Sequence, residues 1–292
     1  MPIARYIDLH THTTASDGTT PPRALVELAR NRGLAAIAIS DHDSTEGLDE
    51  ALAAGHDLNV DVIPAVEMST DISEGEVHVL GYFINHHDRR FQTLLRTLRE
   101  ARLGRARKMV DKLAALGMPL DWGRVQTFAG SGAVGRPHVA MAMVERGYVP
   151  DIRTAFDLYI NRNGPAYVER YKLTPAEAIG LVRQVGGLPV LAHPLEGKGC
   201  LHLVPDLVMA GLEGLECYYT GYTTEQMALL EATARQYDLV PSGGSDFHGA
   251  DVVAGAILGR PPVPYSILEG LRARHGKQRA ASGPSRATGR KQ

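Results

Sequence analysis

The chain has 292 residues, a formal charge of -2 and 44% hydrophobic residues, which suits one large α/β domain or two ordinary ones. No apolar run approaches the roughly 20 residues that span a bilayer, and Cys200 and Cys217 stand far from any CxxC spacing. A membrane span, a disulfide framework and a zinc finger are thereby excluded, and without a signal-peptide layout the expectation is a cytoplasmic protein with reduced thiols.

Residues 3–9 predict a first strand that runs into His10-Thr11-His12. An i, i+2 spacing on a strand puts both imidazoles on one face, and a neutral imidazole is the commonest metal ligand near neutral pH. Asp17-Gly18 lies in a Thr/Ser-rich loop. Thr20-Pro21-Pro22 predicts a helix start and Gly33 its end. Leu34–Ile39 is almost wholly apolar, as for a strand buried on both faces, and delivers Ser40-Asp41-His42-Asp43. A helix from about Ser44 to Gly55 and a third strand, Val60–Val66, with Glu67 at its end, complete a βαβαβ pattern that predicts a parallel sheet. Val77–Phe83, with His78 near its start, predicts a fourth strand.

The alternation then stops. Phe91 to Leu116 predicts one long helix with an apolar face and a basic one of Arg96, Arg99, Arg102, Arg105, Arg107 and Lys108. Spacing alone makes that basic face an ordinary solvated one; the functional alternative is attraction of a phosphate-rich substrate. Further helical signal at Trp122–Phe128, Pro137–Arg146 and Ile152–Tyr159 marks residues 100–165 as a helical insertion over the mouth of an α/β body formed by 1–99 and 166–275. The rhythm returns with the helix start Thr174-Pro175-Ala176-Glu177. Strand Leu188–Ala192 delivers His193. A helix around Leu201–Ala210, strand Gly214–Cys217 with Glu216, a helix over Thr224–Gln236 and strand Leu239–Pro241 follow. The last strand opens on a turn carrying Asp246 and His248, and Tyr265–Arg274 predicts a final helix. Residues 276–292 hold Lys277, Arg279, Arg286, Arg290 and Lys291 and no acid, which predicts a disordered basic tail. The count of about seven strands alternating with helices is that of a barrel.

His10, His12, Asp17, His42, Glu67, His78, His193, Asp246 and His248 fall at or near strand ends, and nine ligands exceed what one four-coordinate ion needs. Two or three ions sharing a carboxylate account for the number. A mixed imidazole and carboxylate set without Cys suits zinc, manganese or iron, and clustered ions with oxygen ligands are typical of hydrolytic phosphate chemistry. Arg136 and His138 place a planar five-donor cation beside a titratable donor, a combination suited to phosphate, although alone the pair reads first as a helix N-terminus in which Arg136 makes a surface ion pair. Lys172, Lys198, His202, Tyr218 and Tyr222 are looser candidates for phosphate or base contact. Ser245 does not sit in a GxSxG turn and there is no P-loop, which disfavours a covalent serine route.

D-L-H-T-H at 8–12, S-D-H-D at 40–43, the Glu67 strand, A-H-P at 192–194 and G-S-D-F-H-G at 244–249 resemble, in order, the motifs of the polymerase and histidinol phosphatase (PHP) family, over about 3–260. The resemblance implies a distorted (β/α)7 TIM-like barrel with a trinuclear metal centre at the C-terminal ends of its strands. It implies a first ion on His10, His12, Glu67 and Asp246, a second sharing Glu67 with His78 and His193, and a third on Asp17, His42 and His248. Asp17 stands where some members carry His. G-R-P-H at 135–138 and A-Y-V at 166–168 resemble a stand-alone branch of nucleoside 3',5'-bisphosphate phosphatases and 5'-to-3' exoribonucleases on short RNA. The expected reaction is hydrolysis of the 3'-phosphate by a metal-activated hydroxide, with His10, His12, Glu67, His193, Asp246 and Arg136 catalytic and Arg136 and His138 on the substrate. The expected cofactors are three divalent ions, manganese first, with zinc, iron or magnesium as alternatives. The expected partners are a nucleotide and short RNA, with no membrane and no obligate protein partner. A histidinol phosphatase or other small phosphomonoesterase is the alternative enzyme, and an RNA-binding module with structural metals the alternative of another class.

Overall fold

In the computed structural model, which describes residues 5–73, 75–130, 134–169, 173–196, 199–249, 252 and 255–282, the apolar runs become the strands of one sheet. They are β1 (Tyr6–Asp8), β2 (Leu34–Ile39), β3 (Asp61–Ile72), β4 (Gly75–Tyr82), β5 (Leu188–Leu191), β6 (Gly214–Tyr219), β7 (Val240–Gly244) and β8 (Val263–Pro264). The sheet runs in the order β7-β6-β5-β4-β3-β2-β1-β8. It nearly closes, because the Leu9 N–H donates to the Gly243 carbonyl at 3.1 Å and the His12 N–H to the Phe247 carbonyl at 2.9 Å. This is the expected distorted barrel, with a short eighth strand added.

β1, β2 and β3 are parallel, as βαβαβ predicts. β4 is antiparallel to both β3 and β5. The reason is the connection: β3 ends at Ile72 and β4 starts at Gly75, far too short for a parallel crossover. β3 is also longer than its apolar run. It continues through Ser69, Thr70 and Asp71, which are buried, so Glu67 sits inside the strand and not at its end.

Both faces of the sheet are buried. Ile7, Ala36, Ile63, Leu80 and Val190 face Leu268 and Leu271 of the final helix. Ile37, Val62, Val79 and Leu215 face the outer helices. The α-helices in chain order are α1 (Pro22–Asn31), α2 (Leu48–Leu58), α3 (Arg89–Ala115), α4 (Trp122–Ala129), α5 (Arg136–Glu145), α6 (Ile152–Ala155), α7 (Pro175–Gln184), α8 (Val204–Met209), α9 (Thr224–Gln236) and α10 (Tyr265–Ser282), of which α1, α2, the first half of α3, α7, α8 and α9 cover the outer face. Their starts are written locally. Thr174 and Glu177 close a capping box on α7, Thr223 and Gln226 do so on α9, and Asp88 accepts the Arg90 and Phe91 N–H groups at the start of α3. A separate apolar cluster, including Ala106, Leu113, Val125, Val139, Met143 and Ile160, holds α4, α5 and α6 against the second half of α3. The final helix runs on past Arg274 to Ser282, so residues 276–282 are helical where a disordered tail was expected; 283–292 lie outside the described residues. No helix among the described residues is long and apolar enough to cross a membrane.

The seam between β1 and β7 needs glycine. A Cβ on Gly244 would stand 2.3 Å from the His10 nitrogen and 2.5 Å from the His10 Cβ. Backbone cannot yield there as a flexible side chain does. Gly244→Ala is expected to cost roughly 1–3 kcal/mol by overpacking and to displace His10. A denaturation midpoint equal to wild type would refute the close approach.

Candidate metal centre

Alternation along the extended segment that follows β1 does the first placing. Thr11 turns into the wall, where its Oγ1 donates to the Ala38 carbonyl at 2.6 Å and its N–H to Ser40 Oγ at 3.1 Å. His10 and His12, on either side of it, turn together into the mouth of the barrel, both buried. The Asp41 carboxylate takes the Thr13 N–H at 2.7 Å, Thr13 Oγ1 at 2.7 Å and Ser16 Oγ at 2.6 Å, which fixes the loop that carries Asp17.

The nine expected ligands converge around Glu67. Its Oε2 stands 3.3 Å from His10 Nε2, 3.2 Å from His12 Nε2 and 3.0 Å from His42 Nδ1. Its Oε1 stands 2.8 Å from His78 Nδ1 and 3.1 Å from His193 Nε2. Asp246 Oδ1 lies 3.2 Å from His10 Nε2 and 3.1 Å from His12 Nε2. Asp17 Oδ1 lies 3.2 Å from His248 Nε2. Three sets of donor atoms fall within 4.8 Å of one another: His10, His12, Glu67 and Asp246; His12, Asp17, His42 and His248; and His42, Glu67 and His78. The first matches its expected set. The second adds His12 to the expected trio, and in the third His42 stands with Glu67 and His78, while His193 meets Glu67 from the Oε1 side.

These atoms fit divalent cations. His10 Nε2, both ring nitrogens of His12, Asp17 Oδ1, Glu67 Oε2 and Asp246 Oδ1 are buried and make no hydrogen bond, although they face one another at hydrogen-bond range. Buried polar atoms are rarely left so without cause, and imidazole and carboxylate without thiolate suit borderline and hard ions. The electrostatics agree. Burial alone would raise the Glu67 carboxyl, but His42, His78 and His10 hold it well below its ordinary value. Burial would likewise raise Asp246, and His10, His248 and His12 hold it well below. Burial lowers His12, yet Asp246 and Glu67 push it up to about 10. His42, by contrast, is held well below its ordinary value by burial. Backbone strain collects here too: His193 at φ 25° and Asp246 at φ 52° are left-handed without being glycine.

A supporting layer of carboxylates stands behind these ligands. Glu216 Oε1 stands 2.9 Å from His10 Nδ1, and its Oε2 accepts the His193 N–H at 2.7 Å. A carboxylate inside the apolar strand Gly214–Tyr219 was the signal for it. The bond sets the His10 tautomer, with Nδ1–H donating to Glu216 and Nε2 facing the cluster. Asp8 accepts from the Ser245 N–H at 2.9 Å, Ser245 Oγ at 2.5 Å and the Gly259 N–H at 2.7 Å, and burial pushes it up to about 6. Tyr219 donates to Asp246 Oδ2 at 2.8 Å.

The basic face of α3 is only half solvated. Arg96, Arg107 and Lys108 are exposed, but Arg99, Arg102 and Arg105 turn inward. Arg102 Nε donates to Asp43 Oδ2 at 2.9 Å and Arg105 Nε to the Val168 carbonyl at 2.7 Å. Arg136 pairs with Glu76 beside the cluster. His138 does not join it: its Nδ1 accepts the Gly135 N–H at 2.9 Å, a cap on α5, and the ring is buried. Among the looser candidates, Tyr218 donates to Glu231, Tyr222 accepts the Leu195 N–H, His202 is exposed, and Lys172 and Lys198 lie outside the described residues.

The PHP domain pattern matches residues 8–105. A 5'-3' exoribonuclease of Haemophilus influenzae is 34% identical over 250 residues, covering 84% of this chain and 91% of its own. A 3',5'-nucleoside bisphosphate phosphatase of Chromobacterium violaceum is 33% identical over 278 residues, covering 92% and 97%. The crystal structure of a Bifidobacterium adolescentis protein assigned as a metal-dependent phosphoesterase superposes with a TM-score of 0.84 at 31% identity, covering 94% and 98%. With that kinship over nearly its whole length, and a buried imidazole and carboxylate cluster at the mouth of its barrel, the chain belongs to the PHP domain family and is a metal-dependent hydrolase.

Proposed function

We propose that the chain hydrolyses the 3'-phosphate of nucleoside 3',5'-bisphosphates, giving the nucleoside 5'-monophosphate and phosphate. The observation that carries this reading is a pair of cavities that meet at the ligand cluster. One, of about 470 Å³, is lined by His78, His193, Arg136, Asn161, Arg162 and Tyr167 among others. The second, of about 240 Å³, is lined by Asp17, His42, His248, Arg102 and Arg105 among others. Glu76, His78 and Arg136 line both. The larger has the size of a small-ligand site. Such an arrangement suits a molecule with one phosphate at the cluster and a second anion a few bonds away, held by guanidinium groups. The bisphosphate phosphatase named above supports this substrate class. The exoribonuclease supports a second reading, cleavage of short RNA from its 5' end in the same site.

Three divalent ions, manganese first, would be held by His10, His12, Asp17, His42, Glu67, His78, His193, Asp246 and His248, and would supply an activated water while neutralising the phosphate and the leaving oxygen. The chain's own residues do the rest. Glu67 spans the cluster with its two oxygens, and Glu216 holds His10 and the His193 backbone in place. Arg136 exchanges Glu76 for a substrate phosphate, and the insertion at 100–165 acts as a lid that excludes water from the smaller cavity.

The test is phosphate release from adenosine 3',5'-bisphosphate with added manganese, beside histidinol phosphate, AMP and a short 5'-phosphorylated RNA. AMP and phosphate are the expected products. A preference for histidinol phosphate would install that phosphatase reading instead. Tight, salt-sensitive RNA binding with no metal-dependent product would install the binding module. Arg136→Lys keeps the charge but loses the fork, so KM is expected to rise about tenfold, the worth of one charge-assisted hydrogen bond. An unchanged KM would take Arg136 off the substrate.

A further inference from the structure

We propose a second cation site, separate from the central cluster, formed by Asp49, His86 and His87 and suited to a zinc-class ion. Asp49 lies in the first turn of α2, and the two histidines lie in the loop between β4 and α3. One atom faces both rings. Asp49 Oδ1 stands 2.9 Å from His86 Nε2 and 3.6 Å from His87 Nε2. Ligands at about 2.0–2.2 Å from a tetrahedral ion stand about 3.3–3.6 Å from each other. The two observed distances bracket that edge, and the three donor atoms lie within 4.8 Å of one another. The His87 distance already lies at that edge; the His86 pair, now at hydrogen-bond distance, has to open by about half an ångström to give a three-ligand site with water in the fourth position. Two imidazoles with one carboxylate favour zinc, cobalt or nickel over magnesium or calcium.

The loop is built and not merely crowded. Gln92 Nε2 donates to Thr45 Oγ1 at 2.6 Å and to the His86 carbonyl at 2.5 Å, which ties the segment before α2 to the segment before α3. The Asp88 N–H donates to the Asn85 carbonyl at 3.1 Å, and the His87 N–H to Asn85 Oδ1 at 3.3 Å. The ligands therefore come from two segments already held together, which lowers the ordering cost of binding. The ion fastens the start of α3 to α2. α3 is the helix that brings Arg99, Arg102 and Arg105 over the central site, so the clamp steadies their base.

The experiment is equilibrium dialysis of the wild-type chain, His87→Ala and Asp49→Asn against excess zinc, with metal counted per chain. Both side chains are mostly exposed, at 70% and 74%, so neither change threatens the fold. Each variant is expected to bind one zinc fewer than wild type, and zinc added beyond the central complement is expected to raise the wild-type Tm only. Equal counts in all three chains would overturn the site. So would a loss of more than one ion from His87→Ala, because that would place its effect in the central cluster.

Discussion

Replacing Glu67 with glutamine is expected to lower kcat by about a thousandfold, the upper end of what a single electrostatic group contributes in a water-excluded site. The amide keeps the shape and one oxygen but loses the charge that five imidazoles surround, from His78 at 2.8 Å to His10 at 3.3 Å. Glu67 is also the residue whose two oxygens face different ligand groups, Oε2 toward His10, His12 and His42 and Oε1 toward His78 and His193. An NH2 group on either side turns a donor toward the place of a cation. Fewer bound ions per chain are therefore expected together with the loss of turnover.

The same substitution has a signature in the metal-free chain. Breaking a buried ionic contact costs about 3–5 kcal/mol, because partners are left charged and unpaired. The Glu67 carboxyl is held well below its ordinary value of 4.5, so its stabilising contribution is complete above that pH and disappears as pH falls toward the lowered folded value. The stability gap between wild type and Glu67→Gln, measured with chelator present, should be full at neutral pH and narrow on acidification. A variant with wild-type turnover and ion count would remove Glu67 from the centre. A pH-independent gap would show that its charge is not what stabilises the fold.

Legibility in the sequence followed the physics of each signal. Seven strands were readable because each contains or begins in an apolar run, β7 only in its first residues, and most of the ligands stood out because histidines and carboxylates at the ends of such runs have no packing reason to be there. β8 is two residues long and carries no period at all. The extension of β3 through Ser69, Thr70 and Asp71 was hidden because polar residues there find partners that no local pattern announces: the Ser69 N–H donates to Asp43, Thr70 donates to the Val77 carbonyl across the hairpin, and Asp71 pairs with Arg162. The inward turn of Arg102 was hidden for the same reason, since Asp43, 59 residues away, receives it. In Gly135-Arg136-Pro137-His138 the local pattern hid a structural role. The imidazole that looked free for phosphate is the acceptor that α5 uses in place of a side-chain cap on Gly135.

Glu216 gives the second large effect, and it separates holding a ligand from being one. Glu216→Gln is expected to weaken divalent-ion affinity about 10–100-fold, the usual consequence of losing an outer partner of a metal-binding histidine. The carboxylate is fully buried and bonds two ligand-bearing segments at once, the His10 ring and the His193 backbone. Glutamine can still accept one of those two hydrogen bonds, so the ring loses its orienting charge while the strand end stays roughly in place. At saturating manganese kcat should then recover most of its wild-type value, whereas Glu67→Gln should stay inactive at any ion concentration. That contrast is the diagnostic: titrating manganese into both variants and reading turnover is expected to give rescue for a residue that positions a ligand and none for one that would itself hold the ions. If Glu216→Gln is not rescued, Glu216 itself belongs among the ligands and the cluster holds a tenth donor. If it needs no more manganese than wild type, the tautomer of His10 is set by something other than the bond at 2.9 Å.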